Sequence, residues 1–395
     1  MPVLLAGAAW LGLVLWLLAR ILRQFRAYGA GPGITELPPE PAPRVAVIIP
    51  ARDEAANLGP TLATLSAQRY PRECCRILVI DDGSCDDTAK VAGQAAAADP
   101  RIRLYPAGRL PDGWLGKPHA CWRGARLATD ADWLCFMDAD VRAAPDLLAS
   151  AVSQAERERL DMLSLLPFQE LGSFWERLVI PAGMLMIACA KDLRAVQDPA
   201  SPEAEANGQF ILIRRAAYMA LGGHAAVRGE VCEDLALARR AKAAGYRLRL
   251  VAAEHLARTR MYRDLGSLWE GFAKNAVEIM GDGRRTMLVA DLGALFAWTA
   301  FLLPLLLGAA ALHQPEPAAL LGAALAALGS AVVLGVVAGT ARHFRAPMAL
   351  ALLFPIGACM AAALAWHSVS LRRRGHVTWK RRRYTLHRMP PAGMS

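Results

Sequence analysis

Apolar residues follow two patterns along this chain, unbroken runs at the ends and short bursts in the middle. Val3 to Leu18 is almost wholly apolar and is followed by Arg20, Arg23 and Arg26. Further on, apolar stretches run from Met287 to Leu312, Ala318 to Ala338 and Pro347 to Val369. Each of these three is long enough to cross about 30 Å of hydrocarbon at about 1.5 Å per residue. Hydrophobicity on every side, not on one face, marks them as spanning helices and not buried core helices. In the leading run the charges follow the apolar residues and no clean small-residue cleavage site appears, which predicts an uncleaved anchor and not a signal peptide. Leu178 to Ala190 is apolar but too short to span, and reads as a buried or interfacial helix.

The middle of the chain alternates strand and helix patterns. Val45 to Ile49, Ile77 to Ile80, Ile102 to Tyr105, Trp133 to Met137, Met162 to Leu166, Phe210 to Ile213 and Leu248 to Val251 read as strands. Glu54 to Gln68, Asp86 to Ala97, Pro118 to Thr129, Pro145 to Arg159 and Glu233 to Ala244 read as helices. This order predicts an α/β domain with a mostly parallel sheet, whose ligands bind beyond the carboxyl ends of the strands. Polar motifs fall at those ends: Pro50-Ala51-Arg52-Asp53-Glu54 after the first strand, Asp81-Asp82-Gly83-Ser84 after the second, Asp138-Ala139-Asp140 after the fourth. Each directly follows a run that ought to be buried, so the acids are expected to converge on one cleft.

Composition sharpens the membrane reading. The 395 residues are 55% hydrophobic, above the usual share for a soluble protein. The net charge of +10 is concentrated in Arg372, Arg373, Arg374, Lys380, Arg381, Arg382, Arg383 and Arg388. Beside a membrane segment, such a cluster reads as a site for anionic lipid headgroups, and without a recognisable nucleic-acid module no nucleic-acid partner is expected. Arg20, Arg23 and Arg26 place the central domain in the cytoplasm, and Arg342 with Arg345 put the loop before the last span there too. Three further crossings then leave the basic tail outside, against the same rule, so either one apolar stretch is re-entrant or interfacial or the tail breaks the pattern. Eight cysteines without a Cys-x-x-Cys or framework spacing fit a reducing compartment.

Two carboxylates separated by one small residue, Asp138 and Asp140, form a platform for a hard divalent cation, Mg2+ or Mn2+, holding a diphosphate. An isolated Asp-x-Asp is more often a pair of solvated loop residues, and here the neighbouring motifs decide against that. Lys117 lies in a Gly-rich turn, Gly113-Trp114-Leu115-Gly116-Lys117-Pro118, ahead of a helix, where a cation and free N–H groups face phosphate. The spacing is not that of a Walker A motif. Ser84 reads as a cap for the helix beginning near Asp86. Asp234, preceded by Glu233, opens a helix whose N-terminal dipole steadies a carboxylate. His119 and His255 read as ordinary polar residues, since no ligand spacing joins them to another His or Cys.

In their order, Val47 to Glu54, Ile80 to Ser84, Phe136 to Asp140 and Glu233-Asp234 resemble family 2 glycosyltransferases with the GT-A fold. The Gly113 to Pro118 element is similar to that of membrane glycosyltransferases associated with hopanoid and carotenoid biosynthesis. The resemblance implies a Rossmann-like nucleotide-sugar-binding domain flanked by transmembrane helices. It divides the chain into an anchor (1–25), a Pro/Gly-rich linker (26–43), the GT-A domain (44–265), an aromatic and basic interfacial segment (266–286), three apolar spans (287–371) and a basic tail (372–395). It implies that Pro50, Ala51, Arg52 and Glu54 line the nucleoside pocket, that Asp82 holds the base with Asp81 in reserve, and that Lys117 meets phosphate. Asp138 would approach the ribose or the metal and Asp140 would ligate the metal.

By the same resemblance Asp234, with Glu233 beside it, is the base for an inverting displacement, and Asn207-Gly208-Gln209 borders the acceptor. Processive synthases of this superfamily carry Gln-x-x-Arg-Trp after the base, which this sequence lacks. Transfer of one sugar from a nucleotide-diphosphate sugar, UDP-linked first, to a lipid acceptor at the cytoplasmic membrane is therefore the expectation. A hopanoid-pathway lipid comes first, a carotenoid or polyprenyl phosphate next. A polysaccharide synthase and a catalytically silent membrane scaffold are the rival readings.

Overall fold

The structure, a computed structural model, describes residues 1–28, 38–379 and 382–385. Residues 29–37 of the expected linker, and Lys380, Arg381 and Arg388 of the basic tail, lie outside the described residues. The strands are β1 (Val45–Ala51), β2 (Cys75–Asp81), β3 (Ile102–Pro106), β4 (Trp133–Met137), β5 (Val141–Ala143) and β6 (Met162–Leu166), then β7 (Phe168–Gln169), β8 (Phe210–Arg214), β9 (Leu248–Ala252), β10 (Ala257–Thr259), β11 (His376–Trp379) and β12 (Arg382–Thr385). The helices are α1 (Pro2–Tyr28), α2 (Ala55–Ser66), α3 (Thr88–Ala98), α4 (Gly116–Leu127), α5 (Leu147–Arg157) and α6 (Phe174–Ala190), then α7 (Leu193–Gln197), α8 (Arg215–Ala220), α9 (Glu233–Ala243), α10 (Leu265–Met280), α11 (Gly283–His313), α12 (Pro317–His343) and α13 (Phe354–Arg374). They fall into two compact units. One gathers Met1–Arg26, Leu171–Asp192 and Tyr262–Gly375, and the other holds the remaining described residues.

The second unit is the α/β domain. Its seven-stranded sheet has the order β3-β2-β1-β4-β8-β6-β9. The central strands are buried on both faces, which is why they read as continuous apolar runs. Val45, Val47 and Ile49 point into one core with Leu58 and Leu62 of α2 and Leu148 and Val152 of α5. Ala46 and Ile48 point into the other with Ala120 and Ala125 of α4 and Leu237 and Ala241 of α9. The sheet is mostly parallel, as the alternation of strand and helix requires, except that β8 runs antiparallel to both β4 and β6. A second sheet of three short strands, β5-β10-β7, follows the turn after β4.

The first unit contains four helices long and apolar enough to cross a membrane, Pro2–Arg26, Gly283–His313, Pro317–His343 and Met348–Arg374. In the last, a 3-10 turn at Met348–Leu353 precedes α13, with Pro355 in its first turn, where a missing N–H costs no hydrogen bond. α6 groups with these helices although it lies inside the stretch assigned to the GT-A domain from sequence, and the segment after residue 265 is the regular helix α10. α6 starts on a capping box between Ser173 and Glu176. Its C-terminal carbonyls are met by basic and amide side chains: Arg20 reaches Cys189 and Lys191 O at 3.0 Å each, Gln24 reaches Ala188 O at 2.7 Å and Arg285 reaches Ala190 O at 2.9 Å. Positive charge there also suits the helix dipole.

α1 and α12 cross at a pair of glycines. A Cβ on Gly322 would stand 2.3 Å from Val3 O, and one on Gly7 1.9 Å from Gly322 O. One turn on, the Trp10 indole packs against Gly329 and donates to Ser330 Oγ at 3.1 Å. Small residues at such a crossing let backbones approach where lipid supplies no hydrophobic drive. Gly322→Leu therefore should force α1 from α12 and cost about 1–3 kcal/mol, read as a lower thermal midpoint of the detergent-solubilised protein, with Gly339→Leu, which faces open space, as the control that leaves it unchanged.

Candidate active site

The loops beyond β1 and β2 are sewn together. Asp53, held at a left-handed φ of +49°, donates its N–H to Ser84 Oγ at 3.0 Å and accepts from Cys85 N at 2.7 Å. Glu54 N donates to Thr88 Oγ1 at 2.7 Å and Ala55 N to Asp86 Oδ2 at 3.0 Å. Asp81 turns inward, its Oδ1 accepting from Ser84 N at 3.1 Å and Ser84 Oγ at 2.5 Å. Ser84 thus braces the two loops instead of capping α3, whose first N–H, that of Thr88, is met by Asp86 Oδ1 at 3.0 Å.

Asp82 is 4% exposed. Arg52 fixes the backbone on either side, its Nη1 donating to Asp82 O at 2.5 Å and Gly83 O at 3.2 Å. The carboxylate lies against the first turn of α4, where a Cβ on Gly116 would stand 2.2 Å from Asp82 Oδ2. Only glycine admits this approach, which gives Gly116 of the Gly-rich turn a physical reason. Buried His119, one turn into α4, also neighbours Asp82, and burial pushes its imidazole below the usual range. A residue from the far end of the chain completes this corner. Arg382 Nη1 donates to Asp82 Oδ2 at 2.5 Å and Nη2 to Asp82 O at 3.2 Å.

Asp138 and Asp140 stand past the end of β4, in a turn closed by Val141 N to Asp138 O at 3.3 Å. Ala139 is buried between them, and its carbonyl accepts from Thr61 Oγ1 at 2.8 Å. The Lys117 ammonium bridges Asp138 Oδ1 at 2.7 Å and Glu233 Oε1 at 3.0 Å. Asp234 is locked by two backbone donors, Gly208 N to Oδ2 at 2.7 Å and Leu235 N to Oδ1 at 2.8 Å. A Cβ on Gly208 would stand 2.9 Å from Lys117 Nζ and 3.0 Å from Asp234 Oδ2, so a side chain there would displace one of the two charged groups. Gln209, 5% exposed, is held by Asn207 and by Gln169 of β7. Pro50 and Ala51 close β1 next to Ile80 and Asp81 of β2.

Burial raises the carboxyls of Asp138 and Asp140 above the usual carboxylate range, and for Asp140 the charges of Asp138 and Glu54 add to it. Asp234 is pushed up to about 6 by burial, with Glu233 adding and Lys117 opposing. Crowded carboxylates of this kind call for a further cation. Asp140 Oδ1 is buried without a hydrogen-bond partner, and the buried Thr259 hydroxyl is its neighbour. No cluster of three or more His, Cys, Asp or Glu suited to a metal occurs among the described residues. The Asp138 and Asp140 oxygens are hard donors of the kind Mg2+ or Mn2+ takes, and such ions ordinarily bind through one or two carboxylates with phosphate and water completing the shell.

Residues 46–181, which include Asp82, Lys117, Asp138 and Asp140, match the model of Glycosyl transferase family 2. Among curated relatives, the 4,4'-diaponeurosporenoate glycosyltransferase of Staphylococcus aureus (strain USA300) is 27% identical over 270 residues, covering 66% of this chain and 68% of the relative. The enzyme of the same name from Staphylococcus haemolyticus is 28% identical over 195 residues, 49% of this chain and 50% of the relative. Among solved structures, the mannosyltransferase PcManGT of Pyrobaculum calidifontis, in complex with GDP-Man and Mn2+, aligns over 93% of this chain and 98% of its own at 20% identity, with a TM-score of 0.47. The glucosyl-3-phosphoglycerate synthase of Mycobacterium tuberculosis with Mn2+ and UDP aligns over 66% and 84% at 18% identity, with a TM-score of 0.39.

The contact of Gly116 with Asp82 generates a direct test. Gly116→Ala should move the carboxylate or the first turn of α4, costing about 1–3 kcal/mol in chemical denaturation, whereas Gly93→Ala in α3, with open space around it and no positive φ, should leave stability unchanged or slightly raised.

Proposed function

We propose that this protein is a membrane-anchored, metal-dependent, inverting glycosyltransferase that moves one sugar from a nucleotide-diphosphate sugar to a lipid acceptor. The carrying observation is the gathering of Asp82, Asp138, Asp140 and Asp234 at one edge of the sheet, with Lys117 bridging Asp138 and Glu233. A scaffold has no need of four such acids in one place.

In this reading Pro50, Ala51, Arg52 and Glu54 border the nucleoside, Asp82 receives the N–H edge of the base, and Asp138 and Asp140 hold the divalent cation. When bound, that cation neutralises charge developing on the departing diphosphate. Lys117 keeps Asp138 and Glu233 in register and adds a positive charge on the phosphate side. Asp234 takes the proton from the acceptor hydroxyl as its oxygen attacks the anomeric carbon. The backbone donors from Gly208 and Leu235 aim its carboxylate, and a pKa near 6 suits a base working close to neutral pH. A single displacement by one base inverts the anomeric centre, and the lack of Gln-x-x-Arg-Trp favours one transfer over chain extrusion.

The four apolar helices support an acceptor residing in the bilayer, Arg20, Arg23 and Arg26 favour a cytoplasmic active site, and the contact of Arg382 with Asp82 favours the topology in which one of the three C-terminal apolar stretches is re-entrant, so that the tail lies on the same side. A hopanoid-pathway lipid, with UDP-sugar as donor, follows from the resemblance of the Gly113 to Pro118 element. A carotenoid acceptor is favoured by a separate observation, the likeness to enzymes named for 4,4'-diaponeurosporenoate.

Donor turnover by the detergent-solubilised full-length protein should require Mg2+ or Mn2+ and stop on chelation. Asp140→Ala and Asp234→Asn should each lower turnover by at least about 10²-fold in protein that retains its thermal transition. Activity surviving both substitutions would falsify the assigned roles. The turnover rate should also rise with pH through about 6 and level off above it, because Asp234 acts only when deprotonated; a flat profile from about pH 5 to about pH 7, one unit either side of that value, rules out Asp234 as the base.

A further inference from the structure

Arg382 has no place in the chemistry above, yet it occupies the nucleoside corner of the site. It sits at the start of β12, whose only strand partner among the described residues is β11, joined by the register Trp379↔Arg382. A two-stranded hairpin outside any larger sheet is marginally stable and easily released. Its guanidinium engages both the carboxylate and the carbonyl of Asp82. With Arg382 in place the Asp82 side chain is 5% exposed, and its other oxygen, Oδ1, is buried without a partner. No base edge can reach either oxygen in that arrangement. Arg52, 16% exposed, holds the backbone of Asp82 and Gly83, so the more exposed Arg382, at 28%, is the group that gives way.

The sequence around Arg382 says what would draw it off. Lys380, Arg381, Arg383 and Arg388 flank it, and a basic cluster of this density following an apolar span is attracted to anionic lipid headgroups. The summed attraction of five cations to a charged surface outweighs one partly exposed ion pair.

We propose that the C-terminal hairpin is an autoinhibitory latch, in which Arg382 and the nucleotide of the donor compete for Asp82 and an anionic lipid surface releases the latch by binding the basic residues around Arg382. This rests on the reading of Asp82 as the base-binding carboxylate. The protein would then work only when its basic segment lies on a charged bilayer, which couples donor binding to the surface that holds the acceptor.

The test is nucleotide affinity of the full-length protein in nanodiscs, with UDP and GDP, each with Mn2+, as probes. Discs of phosphatidylcholine alone are compared with discs that also contain phosphatidylglycerol. Anionic lipid should tighten binding to the wild type about five-fold. Arg382→Ala should bind that much more tightly in neutral discs and no longer respond to lipid charge. Unchanged or weaker binding by Arg382→Ala in neutral discs overturns the latch. A second comparison separates the two readings: Asp82→Ala in the Arg382→Ala background should weaken binding. If it does not, or if neither nucleotide binds to any form, the donor-site reading itself fails and the latch with it.

Discussion

Everything at the site depends on keeping several carboxylates close together out of water. Asp138, Asp140, Glu233 and Asp234 gather at the carboxyl edge of one sheet, where burial and neighbouring negative charge raise the carboxyls of Asp138, Asp140 and Asp234. Such a cluster is tolerable only with positive charge and oriented donors. Lys117 supplies the first by bridging Asp138 and Glu233, and the amides of Gly208 and Leu235 supply the second for Asp234. The remaining excess of negative charge around Asp140 is what makes a divalent cation a natural occupant.

The surrounding fold can be understood as the means of holding that arrangement still. Buried strands carry the acids to a common edge, and the β1 and β2 loops are tied by Asp53, Ser84, Asp86 and Thr88. Glycines stand where a side chain would push charged groups apart, Gly116 against Asp82 and Gly208 against Lys117 and Asp234. The apolar unit solves a separate problem with the same means, small residues at a helix crossing and basic side chains over the carbonyl end of α6.

Much of this was legible in the sequence because burial on both faces leaves continuous apolar runs, and each such run ended in a recognisable polar motif. Strand direction was not legible. β8 reads like its parallel neighbours, since side-chain pattern carries no record of which way a strand runs. β5, β7 and β10 were too short to show any alternation. The Asp138-Ala139-Asp140 pair was placed correctly in the chain, but its carboxylates project from a turn past the strand end, not from the strand itself. Nor could spacing reveal Arg382 on Asp82, a contact between residues 300 positions apart. A basic tail signals lipid, and only the fold shows that one of its arginines also reaches Asp82.

The most direct test of the central claim is incubation of membranes containing the full-length protein with a panel of radiolabelled nucleotide sugars, followed by mass analysis of the extracted lipids. The account predicts one donor, one lipid gaining a single sugar residue, and loss of that product when Asp140 is replaced by Ala. A labelled polymer, or no lipid-linked sugar from any donor in membranes that hold folded protein, would contradict it.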